Sequence, residues 1–504
     1  MLEQNLQKSF NLKNFRPGQL EIITAVLNKQ DALAVLPTGG GKSLCYQFPA
    51  VYTNQLVVVI SPLIALMKDQ VFALNQKGIP AGCLYSKQTD DEKRSIFAQI
   101  AKGGTFILYL SPERVQKDGF KTWIANQKIA LFAVDEAHCV SQWGHDFREE
   151  YAELKVLKDL RPDVPILALT ASATPTVLDD IAKNLKLVKP QRLVHGFYRP
   201  NLYYQVETCA EEDQKIPWLV QAIKQFPTGR ILIYCGTRKN TEYLSENLKS
   251  QFKDVGFYHA GLPTEERTQT QEDYQNSKLR ILVATNAFGM GIDQPDVRLV
   301  IHYQMPANID SLYQEMGRAG RDNLPSTCLM LYSKKDKGLQ SYFIQTSTAL
   351  KAIKDLRYRN LEALVSYSEA GECRHAEILT YYKDSQRLKK CGHCDVCDPK
   401  SPRKIQHPVF KSLAVKTTKK KVFAFTDSST LSPIEERRFK LLKEWRRKKA
   451  EELDLPAFVI FGDKTLRELA QKNPQRLTDL TGIYGIGEQK LEKFGWDILA
   501  ELKD

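Results

Sequence analysis

Residues 32–43 read ALAVLPTGGGKS, and this stretch decides the fold class. The apolar run Ala32 to Leu36 reads as a strand, and the turn Thr38, Gly39, Gly40, Gly41 opens directly onto a helix. Backbone N–H groups of such a turn wrap phosphates at a positive helix N-terminus. Lys42 then reaches the terminal phosphates, and the Ser43 hydroxyl holds Mg²⁺. The general phosphate-loop pattern has a glycine where this chain has Leu36, so the strand and helix on either side carry the reading, not the string. A chance Gly-rich turn is the rival interpretation.

A second apolar strand, IALFAV at 129–134, ends in Asp135, Glu136, Ala137 and His138. Two carboxylates at the C-terminal edge of a strand sit where open α/β sheets gather ligands. Asp135 suits the magnesium shell, and Glu136 suits orienting or deprotonating the attacking water. Surface acidic pairs are common; the phosphate loop upstream is what lifts this one above them. Further along, QEMGRAGRD places Arg318 and Arg321 three apart, on one face of an expected helix. Cations brought from another lobe stabilise charge on a transferring phosphoryl group, although a basic surface patch reads the same way.

The surrounding pattern agrees. Short β-branched runs alternate with helical stretches: Ala32 to Leu36, Leu56 to Ile60, Thr105 to Leu110, Ile129 to Val134 and Ile166 to Thr170, then Arg230 to Tyr234, Gly256 to Tyr258, Arg280 to Ala284 and Val297 to His302. Such alternation predicts parallel sheets wrapped by helices, here as two α/β lobes joined near Tyr198 to Tyr203. From Ser341 to Tyr382 the pattern is helical, residues 401–431 read as linker, and helical periodicity resumes after Ser432. The run Lys419 to Lys421 reads as a solvated tether.

Of ten cysteines, six are scattered as small core residues, while Cys373, Cys391, Cys394 and Cys397 cluster as C-x17-C-x2-C-x2-C. Four thiolates suit one tetrahedral Zn²⁺ at about 2.3 Å, and the site is expected to be structural. An iron–sulfur cluster uses the same ligand type, and His375 and His393 lie close enough to be alternative ligands. The cysteine pattern does not read as a disulfide framework.

The chain has 504 residues, with 72 Lys plus Arg against 59 Asp plus Glu and a formal net charge of +13. That balance favours a polyanionic partner through phosphate neutralisation. The opening MLEQNLQKSF lacks a signal-peptide layout, and no apolar run approaches the ~18 residues of a membrane span. A cytoplasmic chain without membrane contact is the expectation.

These motifs, in this order and spacing, resemble those of superfamily 2 helicases. Further stretches are similar to the RecQ family in particular: FRPGQ at 15–19, SPLIALMKDQ at 61–70, SPERV at 111–115, SQWGHDFR at 141–148, ALTASAT at 168–174 and ATNAFGMGIDQPDVR at 284–298. The resemblance implies two tandem RecA-like parallel-sheet lobes, at 1–200 and 201–340. A helical zinc-binding module at 341–400 and a small all-α bundle of the HRDC type at 432–504 follow. It implies that Arg16 and Gln19 grip adenine, that Gly291 and Asp293 complete the ATP site from the second lobe, and that Arg321 is the finger on the γ-phosphate. It makes 143–148 an aromatic-rich loop that senses single-stranded DNA. Trp143 and Phe147 offer faces on which any base stacks, and His145 and Arg148 add polar or cationic contacts.

The expected activity is ATP-dependent 3′ to 5′ translocation on single-stranded DNA with unwinding of tailed or forked duplex, in repair or recombination. The alternative is an ATP-switched DNA-binding or annealing protein with little unwinding; RNA is a rival substrate. A monomer at the bacterial nucleoid is expected. Relatives often carry a winged helix between zinc module and bundle, and only about thirty residues stand there in this chain, predicting weak unwinding. In the bundle, Arg446, Arg447, Lys448 and Lys449 read as a basic patch for DNA, and the Gly485 to Gly487 turn as a phosphate contact.

Overall fold

Seven strands form the first sheet: β1 (Ala32–Val35), β2 (Leu56–Ile60), β3 (Ala81–Leu84), β4 (Phe106–Leu110), β5 (Ile129–Val134), β6 (Ile166–Thr170) and β7 (Gln191–Val194). They lie all parallel in the order β3-β4-β2-β5-β6-β1-β7. These strands come from a computed structural model, which describes residues 2–502 except 38–39, 86–87, 142, 144–146, 289–293, 409–430, 454 and 456. A parallel sheet must be covered on both faces, and the side-chain period of two does this. Leu33, Val35, Val58 and Ile60 enter one core, while Ala34, Val57 and Val59 enter the other.

The second sheet holds β8 (Leu202–Thr208), β9 (Arg230–Tyr234), β10 (Val255–Tyr258), β11 (Ile281–Ala284), β12 (Val297–His302) and β13 (Ser326–Tyr332). It too is parallel, ordered β10-β11-β9-β12-β13-β8. Four strands, β3, β7, β8 and β13, were not expected from the sequence. In β3 (AGCL) the interrupting Gly82 packs closely, since a Cβ there would come within 3.2 Å of Phe106 and 3.3 Å of Ile96 and those side chains would have to give way. The junction also falls earlier than 198–203: Leu202 and Tyr203 are already strand, and the connection is 195–201.

The edge of β8 is not left open. Tyr204 pairs with Cys394, the Asp395 N–H donates to the Tyr204 carbonyl at 2.9 Å, and the Val206 N–H donates to Asp395 Oδ2 at 3.0 Å. The zinc-module segment thus covers an edge that would otherwise template foreign pairing. The module's helices are Lys334–Thr346, Lys351–Glu369 and Arg374–Tyr381, beginning earlier than the expected Ser341.

Two expectations about the C-terminal part need correction. The proposed linker is anchored over its first eight residues: Ile405 is buried, its N–H and carbonyl both bonded to the Gln205 amide at 2.8 and 3.0 Å, and His407 packs edge-on against Trp218. The run Lys419 to Lys421 lies outside the described residues.

The five-helix bundle (Pro433–Leu453, Ala457–Ile460, Asp463–Lys472, Leu477–Leu480, Glu488–Glu501) is docked, not tethered. Phe458 leaves the bundle's own core and joins that of the motor, its ring against Tyr367 and Tyr381. Its N–H donates to Glu377, a carboxyl that burial pushes up to about 7. Arg446 is fully buried, 2.8 Å from Glu372 of the zinc module and 2.8 Å from Asp463. Within the basic run Arg446 is thus taken up by packing, Arg447 pairs with Glu444 and Glu451, and Lys449 pairs with Glu452 and Asp497, while Lys448 is exposed with no ion pair among the described residues. At the glycine turn, Gly485 has φ 79° and a Cβ there would meet Thr465 Oγ1 at 2.6 Å, so backbone and packing both favour glycine. Among the described residues no helix is long and apolar enough to cross a membrane.

Candidate functional site

The order of the first sheet puts β1 between β6 and β7, with β5 beside β6, so the C-terminal ends of β1, β5 and β6 face one crevice. Each expected element of the nucleotide site leaves one of these ends. After β1 the chain turns at Gly41 with φ 79° and enters the helix Lys42–Thr53. A Cβ on Gly41 would stand 2.4 Å from Gln19 Nε2, so this approach requires glycine. Thr38 and Gly39 lie outside the described residues, and Gly40 donates to the Pro37 carbonyl at 2.9 Å.

Gln19 is buried beneath the turn. Its Oε1 accepts the Arg16 N–H at 2.8 Å, and its Nε2 donates to the Gly41 carbonyl at 2.9 Å. The amide therefore latches FRPGQ onto the phosphate loop, a positioning task not read from the sequence. Arg16 lies beside Gly41, its Cδ 3.8 Å from where a Cβ would be.

After β5, Asp135 is buried and its backbone N–H is fixed to the Ile60 carbonyl. Burial and the neighbouring Glu136 push its carboxyl up to about 6, against the downward pull of Lys42. Glu136 itself adopts φ 49°, a left-handed conformation costly for a residue with a side chain and characteristic of functional turns. Ser43 stands in the first turn of the helix Lys42–Thr53.

A chain of polar contacts leads from these carboxylates to the second lobe. Glu136 Oε2 lies 3.3 Å from His138 Nδ1, which lies 2.9 Å from Thr170 Oγ1 at the end of β6. The Thr170 hydroxyl gives its proton to the Ser172 carbonyl at 3.1 Å, so its oxygen accepts from His138. Ser172 Oγ in turn accepts from Gln314 Nε2 of the second lobe at 3.0 Å. The stretch ALTASAT carried the family resemblance, yet nothing in it announced this bridging role.

Arg318 and Arg321 are not on a helical face. The helix Ile309–Met316 ends before them, and both lie in the following turns. That segment is held from the interlobe junction: Arg199 donates to the Ala319 and Gly320 carbonyls at 3.0 and 2.9 Å, and Asn201 donates to Gly320 at 2.8 Å. Arg318 reaches the buried Tyr234 hydroxyl. The turn closes at Asn323 with φ 65°, as its tolerance of left-handed backbone leads one to expect. Gly291 and Asp293 lie outside the described residues.

The aromatic loop is pinned at both ends: Ser141 Oγ donates to Asp180 at 2.7 Å, and the Arg148 N–H donates to the Cys139 carbonyl at 3.0 Å. Between them Trp143 is 38% exposed, which removes core packing as its role. Trp143 and Phe147 face a cavity of about 800 Å³ that also touches His138 and Ser172 of the route. His145 lies outside the described residues.

Cys373 caps the helix Arg374–Tyr381, and with Cys391, Cys394 and Cys397 it brings four sulfurs mutually within 4.8 Å. A tetrahedral zinc–thiolate shell sets sulfurs about 3.7 Å apart, so the four fit one ion. Hydrogen bonds from Cys373 and Cys391 hold the Cys394 thiol well below its usual range. The nearby histidines are engaged elsewhere: His375 Nε2 and His393 Nδ1 both donate to the Leu202 carbonyl at 3.1 and 3.0 Å, and Tyr198 bonds His393 Nε2.

Comparison with known proteins covers nearly the whole chain. Four family models match: DEAD/DEAH box helicase over 16–181, helicase conserved C-terminal domain over 214–323, RecQ zinc-binding over 334–398 and HRDC domain over 435–502. The chain is 41% identical over 396 residues to the ATP-dependent DNA helicase RecQ of Haemophilus influenzae, covering 78% of this chain and 63% of that protein, so it spans less than two thirds of that relative. It is 33% identical to the ATP-dependent DNA helicase RecQ of Bacillus subtilis, over 98% of this chain and 97% of that one. A putative ATP-dependent RNA helicase, R290 of Acanthamoeba polyphaga mimivirus, is 41% identical over 79% of this chain and 72% of its own. Among solved structures, the DUF1998 helicase MrfA bound to DNA superposes with a TM-score of 0.53 at 16% identity, covering 73% of this chain and 53% of that one. Saccharomyces cerevisiae Dbp5 bound to RNA and ADP BeF3 gives 0.51 at 17%, over 71% and 97%. At such identities these two speak for the fold alone.

Proposed function

The chain belongs to the RecQ family of ATP-dependent DNA helicases, and from that membership we propose that it couples ATP hydrolysis to 3′ to 5′ translocation on single-stranded DNA and to separation of tailed or forked duplex. The observation that carries this reading is the route from Glu136 through His138, Thr170 and Ser172 to Gln314. It joins the carboxylate expected to act on water to the other lobe, beside the cavity that Trp143 and Phe147 face. In this scheme the turn around Lys42 holds the phosphates and Glu136 orients water. Arg318 and Arg321 stabilise charge on the γ-phosphate when the lobes close.

Mg²⁺ carried with ATP supplies charge neutralisation between phosphates. Ser43 and Asp135 are the groups that would hold it, and a buried carboxyl beside a second carboxylate is a site that gains from a cation. A protonated Asp135 cannot ligate. Binding of a fluorescent ATP analogue with Mg²⁺, followed from about pH 8 to about pH 5, is expected to weaken as pH falls through about 6. Asp135→Asn is expected to bind weakly throughout and to lose this step; an unchanged step in that variant assigns it to another group.

Zn²⁺ at the four cysteines ties a helix cap to a loop on β8. Protein purified without added metal is expected to carry about one zinc per chain. Cys394→Ser is expected to lower folding yield before it alters nucleotide binding. Bound iron with visible charge-transfer absorbance speaks instead for a cluster.

The activity is tested by strand displacement on tailed, forked and blunt DNA, with RNA as a parallel arm, and by ATPase with and without single strands. DNA-stimulated turnover with displacement of short tailed duplex is expected. Stimulated turnover without displacement favours the ATP-switched binding or annealing alternative, and stimulation by RNA alone removes DNA as the substrate. The same reading places a monomer at the bacterial nucleoid in repair or recombination.

A further inference from the structure

The cavity beside the aromatic loop has four walls from four parts of the chain. Trp143 and Phe147 come from the first lobe, Asn308 from the second, Arg357 and Asn360 from the zinc-module helix Lys351–Glu369, and Leu455 and Val459 from the terminal bundle. The last two are there because Phe458, between them in sequence, is plugged into the motor core and Arg446 is locked to Glu372.

The chemistry of these walls is specific. Arg357 is exposed and forms no hydrogen bond or ion pair among the described residues, and the Asn360 amide is likewise uncommitted. Among the described residues of the lining the one carboxylate, Asp310, already accepts the Tyr382 hydroxyl at 3.0 Å. Aromatic faces, an open guanidinium, an amide and an apolar cover are what a base, its phosphate and its sugar edge need. A cavity of about 800 Å³ lies within the range of small-ligand sites, with room for about two nucleotides.

We propose that this cavity holds a short stretch of single-stranded DNA, with Arg357 against a phosphate, bases on Trp143 and Phe147, and the docked bundle closing over the strand through Leu455 and Val459. The proposal rests on the DNA-motor reading above and adds to it a site built from the zinc module and the bundle. In it the bundle acts as a cover that completes the site, and its own charged face has no part in binding.

The test uses the full chain and a fluorescent dT oligonucleotide of about ten residues, titrated at several salt concentrations. Arg357→Glu is expected to weaken binding about tenfold and to lower the slope of log affinity against log salt by about one. Arg357→Lys is expected to restore most of both. A strand carrying 5-iododeoxyuridine is expected to photocross-link to the aromatic loop and to the peptide containing 455–459. Unchanged affinity and slope in Arg357→Glu, or cross-links absent from 455–459, overturn the proposal while leaving the motor reading in place, provided the unaltered chain shows DNA-stimulated ATPase. Absence of that stimulation removes the motor reading, and the proposal with it.

Discussion

Lys42→Ala is expected to lower ATP turnover by about 100- to 1,000-fold, the loss seen when one preorganised electrostatic contact is taken from a reacting phosphoryl or acyl group. Two effects act together. The phosphates lose their point charge at the start of the helix Lys42–Thr53, where Gly41 has already committed the backbone to φ 79°. Asp135 also loses the cation that holds its carboxyl down against burial and Glu136. Its carboxyl therefore rises further, and a larger share is protonated near neutrality. DNA binding is expected to survive, since the net charge falls only from +13 to +12 and Lys42 does not line the cavity. Steady-state ATPase with and without single strands, beside oligonucleotide binding, separates the two. Near-normal turnover contradicts the assignment of the site.

What the sequence made legible was whatever one local segment dictates. The phosphate loop could be read because strand, glycine turn and helix are contiguous, and Asp135 and Glu136 because β5 is an unbroken apolar run. The four cysteines could be read because three of them share one knuckle. The unread parts depend on partners distant in the chain. Arg446 looked like one of four surface cations, yet its partner Glu372 is 74 residues away, and no periodicity connects them. The latch made by Gln19 could not be read because the Gly41 carbonyl, to which its amide donates, is set there only by the fold. The strand β7 (QRLV) mixes polar and apolar residues at a sheet edge, so it lacks the pattern of a buried strand. The helical reading of Arg318 and Arg321 failed because the chain turns away at Gly320, with φ 55° and its N–H captured by the Val297 carbonyl of β12.

Arg446→Ala is expected to cost about 3–5 kcal/mol, the range found when one partner of a buried ion pair is removed and the other is left uncompensated. Here Glu372 and Asp463 lose their close partner and keep only Lys443, at 3.7 and 4.0 Å, and the Phe461 carbonyl loses the donor that reaches it at 2.8 Å. Because Asp463 and Phe461 belong to the bundle itself, this variant weakens both the bundle's fold and its docking. Glu372→Gln isolates the docking, since it alters only the zinc-module side of the pair and leaves the bundle's core intact. Both variants are expected to lower single-strand affinity and displacement of tailed duplex, because Leu455 and Val459 no longer hold the cavity closed. ATPase at saturating single strands is expected to persist, as neither residue lies among the groups around Lys42 and Asp135. The salt dependence decides between a cover and a separate DNA-binding surface. Arg447 and Lys449 are paired with their own glutamates and Asp497, and neither they nor Lys448 line the cavity. Loosening it is therefore expected to shift affinity while leaving the salt slope nearly unchanged. Hydrogen exchange at Phe458, whose N–H donates to Glu377, reports docking directly and is expected to quicken in Glu372→Gln. A slope that falls by several phosphates' worth when the bundle is loosened contradicts this account, because it requires the bundle's own cations to meet phosphates.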